Sequence, residues 1–382
     1  MPKANSELSN TEKETKKKLK SELKYQRRVQ KLETRIKHAI SRKDPIVEQA
    51  ARGELELLLR NRDNDNDGLY QQQMIQQEQV VHDERYENAI QLVRDIFHQL
   101  LSTWEDEKEG QTACNKIEQN RRARGLLNHM TKGTQSPVLF KDITALRGYT
   151  RQKFYSRAIL IVETFGKLSI PYQPSVSLNQ KDVIDECWKK MSNITRVCSV
   201  GCGPGCDSIG LLAFLRGYIH NDEVKRSLPM HFILLDYAIK DWKDAVLNDL
   251  TSILSNSFGS EVVCEYCDVT VPLQEQHQQV WPLLETTDIF LISYLLTETR
   301  DKWDEYLAQL VEKAKQGALF YFAEPLPWQL HRLIRMSTSP DSVLSPLKRL
   351  RFAWVDSSMN HPEMQELDGR AGGPALLLAI KS

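Results

Sequence analysis

Residues 197–207 read V-C-S-V-G-C-G-P-G-C-D, so glycines stand at 201, 203 and 205 directly after a short apolar, β-branched run. Glycines in that setting let backbone amides approach a ligand closely, and an acid at Asp207 is placed to cap a helix that follows. The spacing also excludes two common phosphate binders. A dinucleotide fingerprint needs glycine where Cys206 stands, and a phosphate-cradling loop needs Gly-Lys-Ser/Thr, which is absent here.

The elements that must carry this loop are legible as alternating patterns. Apolar runs predict strands over 194–200, 231–236, 261–267, 288–294, 317–323, 350–355 and 374–380. Helical periodicity predicts helices over 207–219, 239–256, 300–315 and 328–336, and Ser177 with Gln180 reads as a capping box opening a helix through Met191. Strands alternating with helices demand a mostly parallel sheet covered on both faces, because parallel strands need crossover connections. Ligands then sit at the carboxyl ends of the strands, and the glycine loop is the first strand-to-helix turn.

In that position the G-x-G-x-G spacing resembles motif I of the class I S-adenosylmethionine-dependent methyltransferases, and the resemblance covers about residues 137–382. It implies a seven-stranded α/β sheet with helices on both faces, closed by a hairpin of R-L-R-F-A-W-V-D and G-P-A-L-L-L-A-I-K that sets one antiparallel strand among parallel ones. It implies S-adenosylmethionine as cofactor. Gly201, Cys202, Gly203, Gly205 and Asp207 would form the loop at the methionine part, Asp236 in H-F-I-L-L-D-Y would bind the ribose hydroxyls, and Asp268 with Val269 in C-E-Y-C-D-V would meet the adenine. Tyr237 and Ser293 complete the cofactor set. A sulfonium carries no pyrophosphate, so acids without a loop lysine suit it. One departure stands out: the family often has Asp or Glu where this chain has Ser199, which weakens one cofactor contact.

The acceptor side is D-I-F-L-I-S-Y-L-L-T-E-T, after the fourth strand. It lacks the Asn/Asp-Pro-Pro-Tyr of exocyclic-amine enzymes, the Pro-Cys nucleophile of cytosine C5 enzymes and the paired glutamates of protein arginine enzymes. Methyl transfer from a sulfonium is a direct displacement, so positioning does most of the work and a base is needed only where the acceptor holds its proton. Tyr294 and Glu298 are the candidate catalytic residues: Tyr294 to orient or shield the acceptor, Glu298 to accept a proton or bind a cation. The plainer alternative has Tyr294 packed and Glu298 capping the next helix.

The rest of the 382-residue chain frames this domain. A net charge of zero hides strong segregation: 14 Lys/Arg against 5 Asp/Glu over 1–43, 6 against 16 over 44–115, and 10 against 2 over 116–160. The two basic blocks, 1–43 and 116–160, make RNA the favoured partner and acceptor, over a small metabolite; internal neutralisation is the plainer reading. A non-catalytic scaffold that keeps the fold and binds RNA or protein is the rival from another class.

Residues 1–136 read as a helical, charge-segregated extension and 137–382 as the catalytic domain, with a flexible acidic linker near 61–80 and an irregular, coiled-coil-like stripe in the first forty residues. The strongest helix of the extension, 85–104, carries an apolar stripe from Ala89 to Trp104 that must pack on something. In 147–157, Tyr149, Phe154 and Tyr155 interleave with Arg147, Arg151, Lys153 and Arg157. That pattern suits base stacking, or more simply a helix docked on a sheet with aromatics inward and cations outward. Asp63, Asp65, Asp67 and Gly68 open like a calcium loop, but the position for its bidentate glutamate is Met74. The cysteines, including Cys264 and Cys267, are expected as buried thiols and no metal is expected. No apolar run is long enough to span a membrane and no signal segment is evident, so the expected setting is intracellular, cytoplasmic or nuclear.

Overall fold

The computed structural model describes residues 27, 29–34, 36–37, 47, 51–52, 68–105, 117–118, 120–126, 140–168, 178–219, 229–276, 278–300, 302–355 and 374–382. Contacts divide the chain into one unit of residues 1–75 with 172–181 and a second of 76–171 with 182–382. The second unit holds the sheet and the site. Ser177, the calcium-like Asp63, Asp65 and Asp67, and most of the basic block 1–43 lie outside the described residues.

The sheet has seven strands in the order β3-β2-β1-β4-β5-β7-β6. These are β1 (Arg196–Val200), β2 (His231–Asp236), β3 (Glu261–Tyr266), β4 (Ile289–Ser293), β5 (Leu319–Glu324), β6 (Leu350–Val355) and β7 (Ala375–Lys381). The first five are mutually parallel, and β7 runs antiparallel between β5 and β6. β1, β4 and β5 are mostly apolar and buried along nearly their whole length because both their faces are covered. One face buries Val200, Leu235, Phe290 and Phe322 against α6 (Asp304–Lys313) and α7 (Trp328–Met336) through Tyr306, Leu310, Leu330 and Leu333.

The other face meets α2 (Ile143–Leu168) and α4 (Cys206–Phe214), where the Phe165 ring packs at a tilt against both Phe214 and Tyr321, with centroids 5.6 Å apart. Gly210 lets those two helices close up, since a Cβ there would lie 2.3 Å from the Ala158 carbonyl oxygen. α3 (Leu178–Met191) leads into β1, and α5 (Asn248–Phe258) leads into β3. A π-helical turn, Lys243–Leu247, precedes α5, and Arg147 of α2 donates to its Ala245 carbonyl at 3.2 Å.

The helix predicted over 85–104 is the C-terminal part of α1 (Gly68–Glu105). Its stripe of Ala89, Val93, Ile96, Leu100 and Trp104 is buried, with Ile90 added and Leu92 and Leu101 only half-buried. Polar bonds fix it in place: Tyr86 to Glu163, Arg94 to Tyr155 at 2.8 Å and Trp104 to Asp249 at 2.9 Å. The described part of the expected linker, 68–80, is helical and belongs to α1. Among the described residues no helix is long and apolar enough to cross a membrane.

Candidate functional site

The glycine loop is built by three left-handed residues. Gly201, Gly203 and Gly205 have φ of 70°, 50° and 81°, a region that side chains disfavour, so the residue types follow from the backbone path. The loop is tied to the end of β2. The amides of Gly201 and Cys202 donate to the Leu235 carbonyl at 2.8 and 3.0 Å, and the Gly203 amide donates to Asp236 Oδ2 at 2.9 Å. Asp236 Oδ1 accepts from the Ala238 amide at 2.8 Å. A carboxylate has about four acceptor positions, so Asp236 organises the loop and retains capacity for a ligand. Burial raises its pKa, and those two amides oppose the shift.

A pocket opens where these strand ends meet. Gly201, Gly203, Asp236, Tyr237, Asp268, Val269, Ser293 and Glu298 line it, together with residues the sequence reading did not assign to it, Phe140, Tyr149, Arg157 and Trp242 among them. The structure therefore brings together most of the predicted site. Asp268 is oriented locally: its Oδ1 accepts from the amide and the hydroxyl of Thr270 at 2.9 and 2.7 Å, while Gln276 bonds its main chain on both sides.

Cys202, Gly205, Asp207 and Tyr294 are not among the lining residues. Cys202 is buried under the loop. Gly205 faces α5, where a Cβ would come within 2.8 Å of Leu250 Cδ2. Asp207 does not cap the helix as expected. Gly205 holds the cap position, α4 begins at Cys206, and the Asp207 side chain turns into the interior, where burial raises its pKa. Ser199, the departure from the family pattern, is buried within β1.

The far wall follows β4. Tyr294 has a left-handed backbone with φ 63°, an outlier for a large aromatic residue and a store of local strain. It is the cap position of a one-turn helix, Leu295–Glu298, and gives that turn no side-chain cap. The Arg157 guanidinium lies 4.2 Å from the Tyr294 ring centre and 5.6 Å from that of Tyr149. α2 is thus docked with Tyr149 and Phe154 inward, as the plainer reading expected, but Arg157 points to the pocket instead of outward. Arg147 and Arg151 both stack on Trp104.

Glu298 ends the one-turn helix inside the pocket. Burial pushes its pKa up to about 7, with Arg157 pulling it down and Asp236 adding to the rise. Its neighbour Glu324, at the end of β5, is fully buried and likewise held at about 7, mainly by burial. Sequence reading missed Glu324, Arg157, Trp242 and Phe140; only the aromatic and cationic alternation of α2 hinted at one of them. Among the described residues no His/Cys/Asp/Glu group could hold a metal, and the described cysteines are free thiols, all buried except the half-buried Cys264.

Sheet order and polarity, with a glycine turn after the central β1 and pocket-lining acids at the end of β2 and just after β3, define the class I methyltransferase fold. The chain has that fold. No family model and no curated protein matches it. Among solved structures it is similar to the CurJ carbon methyltransferase, at 13% identity over 75% of this chain and 70% of that one, with a TM-score of 0.37. It is similar also to the plantazolicin methyltransferase BpumL in complex with SAH, at 10% identity over 70% and 99%, with a TM-score of 0.33. A third is the tRNA (m1A58) methyltransferase TrmI from Aquifex aeolicus, at 14% identity over 52% and 68%, with a TM-score of 0.30. Likenesses of this degree carry no argument about activity; the strand order above carries the fold.

Proposed function

We propose that this chain is an S-adenosylmethionine-dependent methyltransferase. One observation supports the reading above all: the left-handed loop at Gly201 and Gly203, the carboxylates of Asp236 and Asp268, and Glu298 line a single pocket at the carboxyl ends of β1 to β4. The donor set fits the cofactor. Among the described lining residues, Asp236, Asp268 and Glu298 against the one cation Arg157 suit a positively charged sulfonium better than a phosphate. At Gly203 a Cβ would meet only the Trp242 ring, at 3.8 Å, so a side chain added there would take up pocket space.

In this reading the loop holds the methionine part, Asp236 the ribose hydroxyls, and Asp268 with Val269 the adenine. Bound there, the cofactor supplies a methyl group on a positively charged sulfur. The chain's own residues then orient the acceptor and manage its proton. Glu298, poised at about 7, accepts a proton near neutral pH. Tyr294, held in its strained backbone, does not line the pocket itself and backs Arg157, which does. Trp242, Tyr149 and Phe140 supply aromatic surface that limits water in the pocket.

RNA is the acceptor we favour, and its support is now concentrated in block 1–43. Within 116–160, Arg121 and Arg122 pair with Glu118, Arg122 also reaches Asp142, and Arg147, Arg151 and Arg157 lie on aromatic rings. The rival scaffold reading draws on Ser199, which supplies no carboxylate where the family often has one. Calorimetry with S-adenosylmethionine separates the two. Saturable binding is expected, and none at all favours the scaffold. Mass spectrometry of products after incubation with labelled cofactor and total RNA, then cell metabolites, tests the acceptor. A binding constant for RNA that ignores salt would remove RNA, because phosphate contacts release counterions.

A further inference from the structure

The one-turn helix Leu295–Glu298 carries two pocket residues, Leu295 and Glu298, yet its own cap position is occupied by a left-handed tyrosine with no side-chain cap. The first amides of a helix need acceptors, and when buried they are costly to leave unpaired. Here the acceptor comes from the next strand. Glu324 Oε1 accepts from the Leu296 amide at 2.8 Å, and Oε2 accepts from the Thr297 amide at 3.2 Å and the Thr297 hydroxyl at 2.6 Å.

Glu324 itself cannot drift. It ends β5, its backbone is in register with Ala375 of β7, and its side chain is fully buried. The turn it holds is also in contact with the glycine loop, since a Cβ on Gly201 would come within 2.8 Å of Leu295 Cδ1.

We propose that Glu324 is the positioning residue of this pocket: its carboxylate, anchored on β5, caps the turn that follows β4 and so sets where Glu298 and Leu295 stand. Glu324 does not line the pocket and acts through the turn alone. The inference rests on the pocket assignment above for its ligand readout, but not for its structural one.

The test compares Glu324→Gln with the unmodified protein and with Leu333→Ala, a core substitution on α7 away from the cap. Gln keeps the shape of Glu but turns an amide NH2 toward one of the two backbone donors. Hydrogen exchange at the Leu296 and Thr297 amides should quicken about tenfold in Glu324→Gln and stay unchanged in Leu333→Ala. With each protein folded, affinity for S-adenosylmethionine by calorimetry should fall about tenfold in Glu324→Gln and stay within roughly twofold in Leu333→Ala.

Unchanged exchange at both amides overturns the cap. Equal losses of affinity in the two variants, or none in Glu324→Gln, overturn its role in the pocket. If the unmodified protein takes up no S-adenosylmethionine, the methyltransferase reading fails, and the exchange comparison alone still decides whether Glu324 holds the turn.

Discussion

The two walls of the pocket are made in different ways. On the β1–β2–β3 side, shape comes from the main chain: left-handed glycines, amides bonded to the Leu235 carbonyl, and Asp236 joining its own strand end to the loop. On the β4–β5 side, shape comes from side chains distant in sequence, with Glu324 capping a turn 28 positions before it and Arg157 of α2 lying on Tyr294. A wall made of backbone resists change and advertises itself as a motif. A wall made of long-range contacts can be retuned residue by residue.

Four experiments would break or sharpen that contrast. The largest effect is expected for Glu298→Gln, which should lower turnover about 10²- to 10⁴-fold, the usual worth of a positioned acid or base. Cofactor affinity measured in parallel should change little; an equal loss in both would make Glu298 part of the cofactor wall. In the unmodified enzyme, activity should rise with pH through about 7 as Glu298 ionises, and Glu298→Gln should abolish that limb.

Next comes Asp236→Ala, which leaves the Gly203 and Ala238 amides without their acceptor. We expect cofactor binding to weaken by about 3 kcal/mol, read by calorimetry. Retained binding would show that the glycine loop holds its form without the strand-end acid.

The same Glu298→Gln protein should also be the more stable one in alkali. Folding favours the protonated form of this glutamate, so its ionisation costs stability progressively as pH rises from about 4.5 to about 7. Removing the charge should therefore raise stability at pH 8 by about 1 kcal/mol, discounted because the side chain keeps some exposure, with no gain near pH 4. Denaturant unfolding at both pH values checks the sign.

The smallest effect is expected for Arg157→Ala, which removes a cation from the Tyr294 ring at a cost of about 1 kcal/mol. Because Arg157 holds the Glu298 pKa down, the pH–activity limb should move to higher pH. A limb that stays in place would separate the arginine from the acid.

The same contrast explains what the sequence made legible. The bounds of β2, β6 and α7 follow from their apolar patterns to the residue, and the acids after β2 and β3 fall in the pocket because strand ends are local features. Asp207 was misplaced because a glycine in the left-handed region, Gly205, took the cap two positions earlier than residue preference alone suggests. Glu324 left no local trace: an acid after F-Y-F-A reads as a strand end meeting water, and only the fold brings β4's turn to it. The π-turn before α5 was equally silent, and the arginine that bonds it lies on another helix.

The insertion of β7 between β5 and β6 also sets an order of assembly. Translation delivers β5 and β6 before 375–381, the ribbon that stands between them in the finished sheet. A nascent chain therefore carries β5 with one raw edge, an invitation to stray pairing, while the strands that frame the glycine turn are already complete. The backbone partner of Glu324 is Ala375, so the residue that caps the turn after β4 gains its strand neighbour only once 375–381 has been made.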